Sequence, residues 1–481
     1  MRRKFVNNLF FILLINLLVK PFWILGIDVG VQNRLGAEEY GFYYPIFGFS
    51  ILLNIILDFG ITNYNNRNIA QHGQQLKRYF SGIFNVKLIL GFVYMAATLL
   101  FGLAIGYRGE AISLLFLLGV NQFLSSMILF LRSNISALHY FKLDGFLSVM
   151  DRLLMILICS VLLWSDLFDG RFEIEWFVYA QFTAYLITAV FAFLMVFKEA
   201  KFYRFKVDFP LFLIILRQSL PFALLVLLMA FYYRLDSVMI ERLLPNGRSE
   251  AGIYAQAYRI LEGFNMFGYL FAGLLLPIFS RMIKKRESVS KLVNTAFNLI
   301  FIPALALVTI SLIHPGKIMG MLYLEHVAAS AEVFSILMLS FMAIALTYIY
   351  GTLLTANGSL KQLNLISLVG LILNLGLNFW LIPRQGAYGA AIATLVTQFF
   401  VVLTQIILSK QIFKLGYSTS FIFKQGILMA IGIPFAVFTT DIFPNFIIHS
   451  MVIAIVFIGL SLMLGLIRKA EIKAVLSPKE N

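Results

Sequence analysis

The chain has 481 residues and a single cysteine, Cys159, which sits inside an apolar run. Disulfides within the chain and thiolate metal sites are thereby excluded. Histidine is scarce too. His72, His139, His314, His326 and His449 are scattered without metal-ligand spacing, so no metal or other cofactor is expected. Charge is thin, at 13% of residues, where a soluble domain carries about 25%. Acidic charge is thinnest, with 23 Asp and Glu against 38 Lys and Arg. The apolar/polar alternation of a membrane-barrel strand is missing as well, which leaves helices as the spanning element.

What is present is hydrophobic residue, at 60% of the chain, with a mean hydropathy of +0.89. No water-soluble core of this size hides so much apolar surface, and the excess must face lipid. A net charge of +15 would raise the question of nucleic acid in a soluble protein. Here the basic residues gather in short links between apolar runs, which is the membrane-topology pattern, and no nucleic-acid partner is expected.

Runs of roughly 20 apolar residues give about fourteen spans. The first six are Asn8–Val29, Gly41–Asn63, Ile83–Ile105, Ala111–Leu131, Leu147–Trp164 and Trp176–Phe197. The next six are Leu211–Val238, Gly252–Phe279, Val293–Ile313, Val333–Leu354, Leu363–Ile382 and Ala387–Leu408. Phe421–Thr440 and Phe446–Ile467 complete the set. The opening Met-Arg-Arg-Lys-Phe has no small-residue cleavage site after it, so the first span reads as an uncleaved helix. Arg2, Arg3, Lys4, Arg67, Lys142, Lys198, Lys201, Arg204, Lys206, Arg281, Lys410, Arg468, Lys469 and Lys473 fall on one side of the expected topology. The other side holds few, among them Arg34, Arg108, Arg171 and Lys317. Both termini are therefore expected in the cytoplasm, which requires an even number of spans.

The chain also reads as a duplication. Lys20-Pro21-Phe22 and Leu220-Pro221-Phe222 precede two polar links that end in Gly41-Phe42-Tyr43 and Gly252-Ile253-Tyr254. The helices that follow end in Arg67 and Arg281. Six spans separate the copies, so both halves have the same orientation, as in transporters with parallel repeats. This predicts a helix bundle over residues 1–209, a second over 210–415, and two further helices with a tail over 416–481.

Several of these stretches carry a family resemblance. Arg34-Leu35-Gly36 through Tyr40-Gly41 resembles the first external link of polysaccharide flippases of the Wzx type. Leu57-Asp58-Phe59-Gly60, Asp236, Gly252 through Arg259, Leu276 through Arg281 and Gly386 through Thr394 are similar to later segments of that family. The resemblance covers most of the chain. It implies an all-α membrane fold of two parallel-repeat six-helix bundles around a central cavity, with two extra C-terminal helices. It also implies export of an undecaprenyl-pyrophosphate-linked oligosaccharide across the bacterial cytoplasmic membrane by alternating access. A polysaccharide polymerase and a chain-length regulator are the partners it suggests.

Such a cargo needs cations for its pyrophosphate, and charge within a span is costly unless it faces a wet interior or a partner. Lys20, Arg217 and Arg259 are the candidates for a cationic cavity, with Lys87 and Arg152 nearer the cytoplasmic mouth. Asp58, Asp236 and Glu262 are candidates for proton or cation coupling. Plain pairing competes for each: Arg259 with Glu262 at i, i+3, and Asp236 with Arg234. Tyr40, Tyr43, Tyr254 and Tyr323 at span ends read as interface anchors. Gly386, Gly389 and Ala393 read as a small-residue packing strip. An enzyme is not expected, because the short external links offer only Glu325 and His326 as an acid–base pair. A multidrug extruder would call for acidic groups within the spans, and a peptidoglycan-precursor flippase stands closer because its cargo also carries pyrophosphate.

Overall fold

The computed structural model describes residues 18–62, 65–66, 69, 75–138, 140–165, 172–200, 209–416 and 418–467. Arg2, Arg3, Lys4, Arg67, Arg171, Lys201, Arg204, Lys206, Arg468, Lys469 and Lys473, on which the expected topology partly rests, lie outside them. Among the described residues every regular element is a helix. The chain forms two compact units, Met1–Ala255 and Gln256–Asn481.

In the first unit a π-helical segment, Trp23–Asp28, leads into α1 (Val29–Leu52) and a 3-10 turn, Asn54–Leu57. Then come α2 (Gln75–Ala104), α3 (Glu110–Ala137), α4 (Phe141–Trp164), α5 (Ile174–Ala200) and α6 (Phe209–Leu243). The boundary between the units falls inside α7 (Gly247–Lys284). The second unit continues with α8 (Ser290–Ile313), α9 (Pro315–Leu322), α10 (Val327–Ala356), α11 (Leu360–Phe413), α12 (Thr419–Phe438) and α13 (Phe446–Met463).

Among the described residues eleven helices are long and apolar enough to cross a bilayer. One of them, α11, is bent at Gly386, whose φ of 56° and ψ of −137° suit a residue without a Cβ. Each arm is about 39 Å long at 1.5 Å per residue, enough for a hydrocarbon core about 30 Å thick. The eleventh and twelfth expected spans are these two arms. A Cβ on Gly389 would lie 2.6 Å from the Leu381 carbonyl oxygen, so this glycine lets the second arm close against the first. The expected packing strip thus divides into a bend at Gly386 and a contact at Gly389. A second bend, at Gly36 with φ 78°, separates the first expected span from the second within α1.

Large apolar side chains such as Phe92, Leu194, Phe438 and Met463 project outward, 78%, 56%, 79% and 86% exposed. Lipid replaces water as their solvent. Inside the first unit Phe80, Ile83, Phe130, Leu131, Ala192 and Val196 join α2, α3 and α5. In the second unit Ile302, Leu305, Leu428, Ala436, Ile453 and Phe457 seat the hairpin of α12 and α13 on α8. Two polar clasps flank that apolar seat. At one end Asn298 donates to the Leu466 carbonyl at 2.7 Å and accepts from Gln425 at 2.6 Å. At the other, Thr439, His449 and His314 form a chain with contacts of 2.9 and 2.8 Å. The histidines that look scattered in sequence therefore include one bonded pair.

The two Gly-x-Tyr motifs meet within the first unit. A Cβ on Gly41 would collide with the Arg248 carbonyl oxygen and lie 2.7 Å from the Gly252 amide nitrogen. A Cβ on Gly252 would collide in turn with the Ala37 carbonyl oxygen. Each glycine therefore faces the carbonyl four residues before the other. Beside the crossing, the tyrosines expected as interface anchors are buried instead: Tyr40, Tyr43 and Tyr254 are at most 1% exposed. Their hydroxyls are bonded inward, Tyr40 to Asp28 at 3.0 Å, Tyr43 from Gln181 at 3.1 Å and Tyr254 to Asp236 at 2.9 Å. Tyr323 in the second unit is likewise buried and donates to the Gln256 carbonyl at 3.1 Å. A tyrosine at a span end reaches the interface only if its helix turns that face to lipid, and here the glycine crossing turns it inward.

Candidate functional site

Pro21 supplies no backbone N–H, and the chain beyond it winds as a π-helix from Trp23 to Asp28. Such wide turns recur at functional sites because they re-aim side chains. Lys20 stands just before this segment, half-buried, within electrostatic reach of Arg152, Asp151 and Arg132. Trp23, inside the segment, lies beneath the Arg152 guanidinium at 5.7 Å from its ring centre.

Arg152 is held from several sides. It donates to the Tyr185 hydroxyl at 2.9 Å and to the Met155 sulfur at 3.2 Å. The Tyr185 ring lies 5.6 Å from the guanidinium, and Asp151 is 3.9 Å away. Trp23 and Tyr185 therefore both lend an aromatic face to one cation. Arg132, near the end of α3, pairs with Asp144 on α4 at 2.9 Å. Three cations thus share this region of α3, α4 and the first helix with two carboxylates, Asp144 and Asp151. The cations are partly exposed, with 28% for Arg152 and 21% for Arg132. A partly solvated cationic cluster bracketed by aromatic rings can hold a phosphate through Lys as a point charge and Arg as a planar fork.

The other expected residues are placed elsewhere. Lys87 on α2 is 1% exposed and spends its ammonium on three acceptors: the Leu57 carbonyl at 2.7 Å, Asp58 at 2.8 Å and Ser126 at 2.8 Å. Asp58 also receives the Thr62 backbone amide at 3.3 Å and the Thr62 hydroxyl. Arg217 on α6 is exposed. Arg259 and Glu262, in the second unit, form the i, i+3 pair at 2.9 Å. Asp236 is 1% exposed and accepts from Tyr254.

Of the expected cations, the structure brings together Lys20 and Arg152. Arg132 and Asp144 were not singled out by sequence. Arg132 falls one residue past the fourth apolar run, where a basic residue reads as a link. The helix runs on to Ala137, however. The signal available was the continued helical pattern Arg132-Ser133-Asn134-Ile135, with apolar Ile135 one turn from Leu131.

Residues 5–283 match the family model described as polysaccharide biosynthesis protein. No curated protein matches the chain. Among solved structures, the chain is similar to the lipid II flippase MurJ in an inward closed conformation, with a TM-score of 0.69 at 13% identity over 92% of this chain and 97% of that one. It is similar to an inward-facing multidrug resistance MATE family transporter of the MOP superfamily, at TM-score 0.62 and 14% identity over 81% and 94%. A MOP superfamily transporter from Pyrococcus furiosus, reported for the reverse polarity of its binding pocket, gives 0.56 and 16% over 82% and 92%. At these identities the likeness is one of fold.

Proposed function

We propose a function from one premise: the chain belongs to the family of polysaccharide biosynthesis proteins. On this reading it is a flippase. It carries an undecaprenyl-pyrophosphate-linked oligosaccharide from the inner to the outer leaflet of the bacterial cytoplasmic membrane, with both termini in the cytoplasm. The lipid-linked sugar and membrane lipid are its direct partners, and a polysaccharide polymerase and a chain-length regulator act on what it delivers. No chemical step on the cargo is required.

The observation that carries the reading is the gathering of three cations, Lys20, Arg132 and Arg152, in one region. Charge within spanning helices is costly, so a cationic cluster there points to an anionic cargo, and it would repel the cationic amphiphiles of a drug extruder. Lys20 takes the pyrophosphate as a mobile point charge, and Arg152, fixed between its rings, orients it. Arg217 offers a further exposed contact. Lys87 and Arg259 enter as cations restrained by Asp58 and Glu262. Uptake of a proton or cation by either carboxylate, or by Asp236, would couple an ion gradient to cargo binding.

The likeness to a lipid II flippase, the highest TM-score given above, favours a peptidoglycan precursor as the second reading, since it presents the same pyrophosphate. Cells lacking the protein separate the two. Build-up of a polysaccharide repeat unit on the cytoplasmic face, reversed by the intact chain, supports the first reading. Build-up of peptidoglycan precursor supports the second. Normal delivery of both removes the flippase reading altogether.

A further inference from the structure

Along the second arm of α11, Thr397, Gln398, Gln405 and Ser409 are 1%, 1%, 5% and 0% exposed. The Thr397 and Ser409 hydroxyls, both polar atoms of the Gln398 amide and the Gln405 carbonyl oxygen have no hydrogen-bond partner in the protein. The Thr347 hydroxyl on α10 is in the same condition. Gly351, one turn beyond Thr347, faces Gln405: a Cβ there would lie 3.3 Å from its carbonyl oxygen and 3.6 Å from its nitrogen. Gly370 on the first arm of α11 packs on the second arm, where a Cβ would lie 3.0 Å from a Val401 methyl and 3.8 Å from that of Thr397. At Gly351 glycine thus brings α10 close to the polar stripe.

The two glutamines are too far apart to satisfy one another. Gln398 and Gln405 are seven residues apart, about 10 Å along the helix, and the stripe from Thr397 to Ser409 covers about 18 Å. In a membrane interior an unmade hydrogen bond is costly, and lipid offers no replacement. Whatever meets these atoms must be small and must both donate and accept. A monovalent cation would serve the oxygens and leave the Gln398 Nε2 hydrogens unbonded. Water does both and makes about three bonds at such sites.

We propose that the seam between α10 and the second arm of α11 binds a file of buried water molecules, held by Thr347, Thr397, Gln398, Gln405 and Ser409. The seam stands independently of the cargo proposed above. It gives the second unit an uncharged solvent thread, reaching through more than half of a hydrocarbon core about 30 Å thick.

Two measurements on the full-length protein in nanodiscs test it. If the seam is wet, Gln398→Leu and Gln405→Leu remove bonded groups, strand their neighbours and lower the Tm. If the seam is dry, the same changes delete orphaned amides and raise the Tm, which overturns the proposal. Radiolytic hydroxyl-radical labelling gives a readout independent of stability. The methionine introduced by Gln405→Met should oxidise well above one introduced by Leu353→Met, which is buried among apolar side chains. Equal oxidation overturns the proposal. A Tm that rises with sodium or potassium in the intact chain, but not in Gln398→Leu, assigns the seam to a cation instead and overturns it equally.

Discussion

The polar side chains of the first unit mix neutral groups such as Asn121 and Gln181 with ionic ones: Lys87 with Asp58, Arg132 with Asp144, Arg152 beside Asp151, and Lys20 near the last two pairs. In the second unit they are chiefly amides and hydroxyls, with Asn374, Asn378, Thr397, Gln398 and Gln405 all at most 5% exposed, and Arg259–Glu262 is an ionic exception. Ionic and neutral groups obey different rules away from water. An ion pair recovers its desolvation cost only where its geometry is good and its remaining bonds are filled. A neutral amide costs less and can be served by water. Charge in the first unit is therefore informative about a ligand, whereas polarity in the second is informative about internal hydration.

Moving charge into the neutral region should have the largest effect. Gln398→Asp places a carboxylate among groups that offer no cation, at a cost of about 3 kcal/mol or more. Folded, monodisperse protein should be lost on size-exclusion chromatography. Recovery of normal yield would mean that the second unit has a counter-charge and that the contrast is false.

Removing charge from the ionic region should cost somewhat less. Lys87→Met takes the cation from Asp58, which keeps Thr62 as a donor, and removes one donor from the Leu57 carbonyl and Ser126, a loss of about 2 kcal/mol. Adding Asp58→Asn should restore part of the lost Tm, because the pair then disappears together. An unchanged or lower Tm in the double variant would show that Asp58 is served by another group.

A smaller effect is expected at the clasp of the α12–α13 hairpin. Thr439 donates to the Phe435 carbonyl at 2.7 Å, so its lone pair receives His449 Nε2–H, and His449 Nδ1 accepts from His314. Burial, together with the like charges of His449 and Lys317, holds His314 below its ordinary value. A histidine lowered in the fold binds fewer protons than it does unfolded. Its contribution is therefore complete above about pH 6.5 and is lost as pH falls below it. The Tm should decline between pH 7.5 and 5, and His314→Asn should flatten that decline. An identical slope in the variant would place the titration elsewhere.

Lys20→Ala should change stability least, by less than about 1 kcal/mol, since the residue is partly solvated and its neighbours pair among themselves. Export should nonetheless fall by about tenfold or more, the scale of one lost charged contact. Full export at normal expression would separate the cationic cluster from the cargo. That result would leave it as a structural device like Lys87.

The fold class was legible because lipid imposes a length on every apolar run, and the run from Leu363 to Leu408 already held a break at Gly386. Lys20 was legible because lysine beside proline inside an apolar run has few structural uses. The Gly-x-Tyr copies were legible as a repeat, though not as a contact. Arg132 was hidden because hydropathy marks where a helix leaves lipid and does not mark where the helix ends. His314 and His449 are 135 residues apart, and the amide stripe on α11 is diluted by Val401 and Val402 on the same face. Pairings of that kind depend on tertiary packing, which local periodicity does not encode.

The crossing at Gly41 and Gly252 has the form of an isologous contact, in which each partner offers the other the same atoms. Such reciprocity belongs to two-fold symmetric dimers. A single chain that carries it holds, in its covalent interior, the reciprocal kind of contact that two separate copies of one chain make. Neither glycine is then free to change alone: the space a side chain would need at one belongs to the backbone leading into the other.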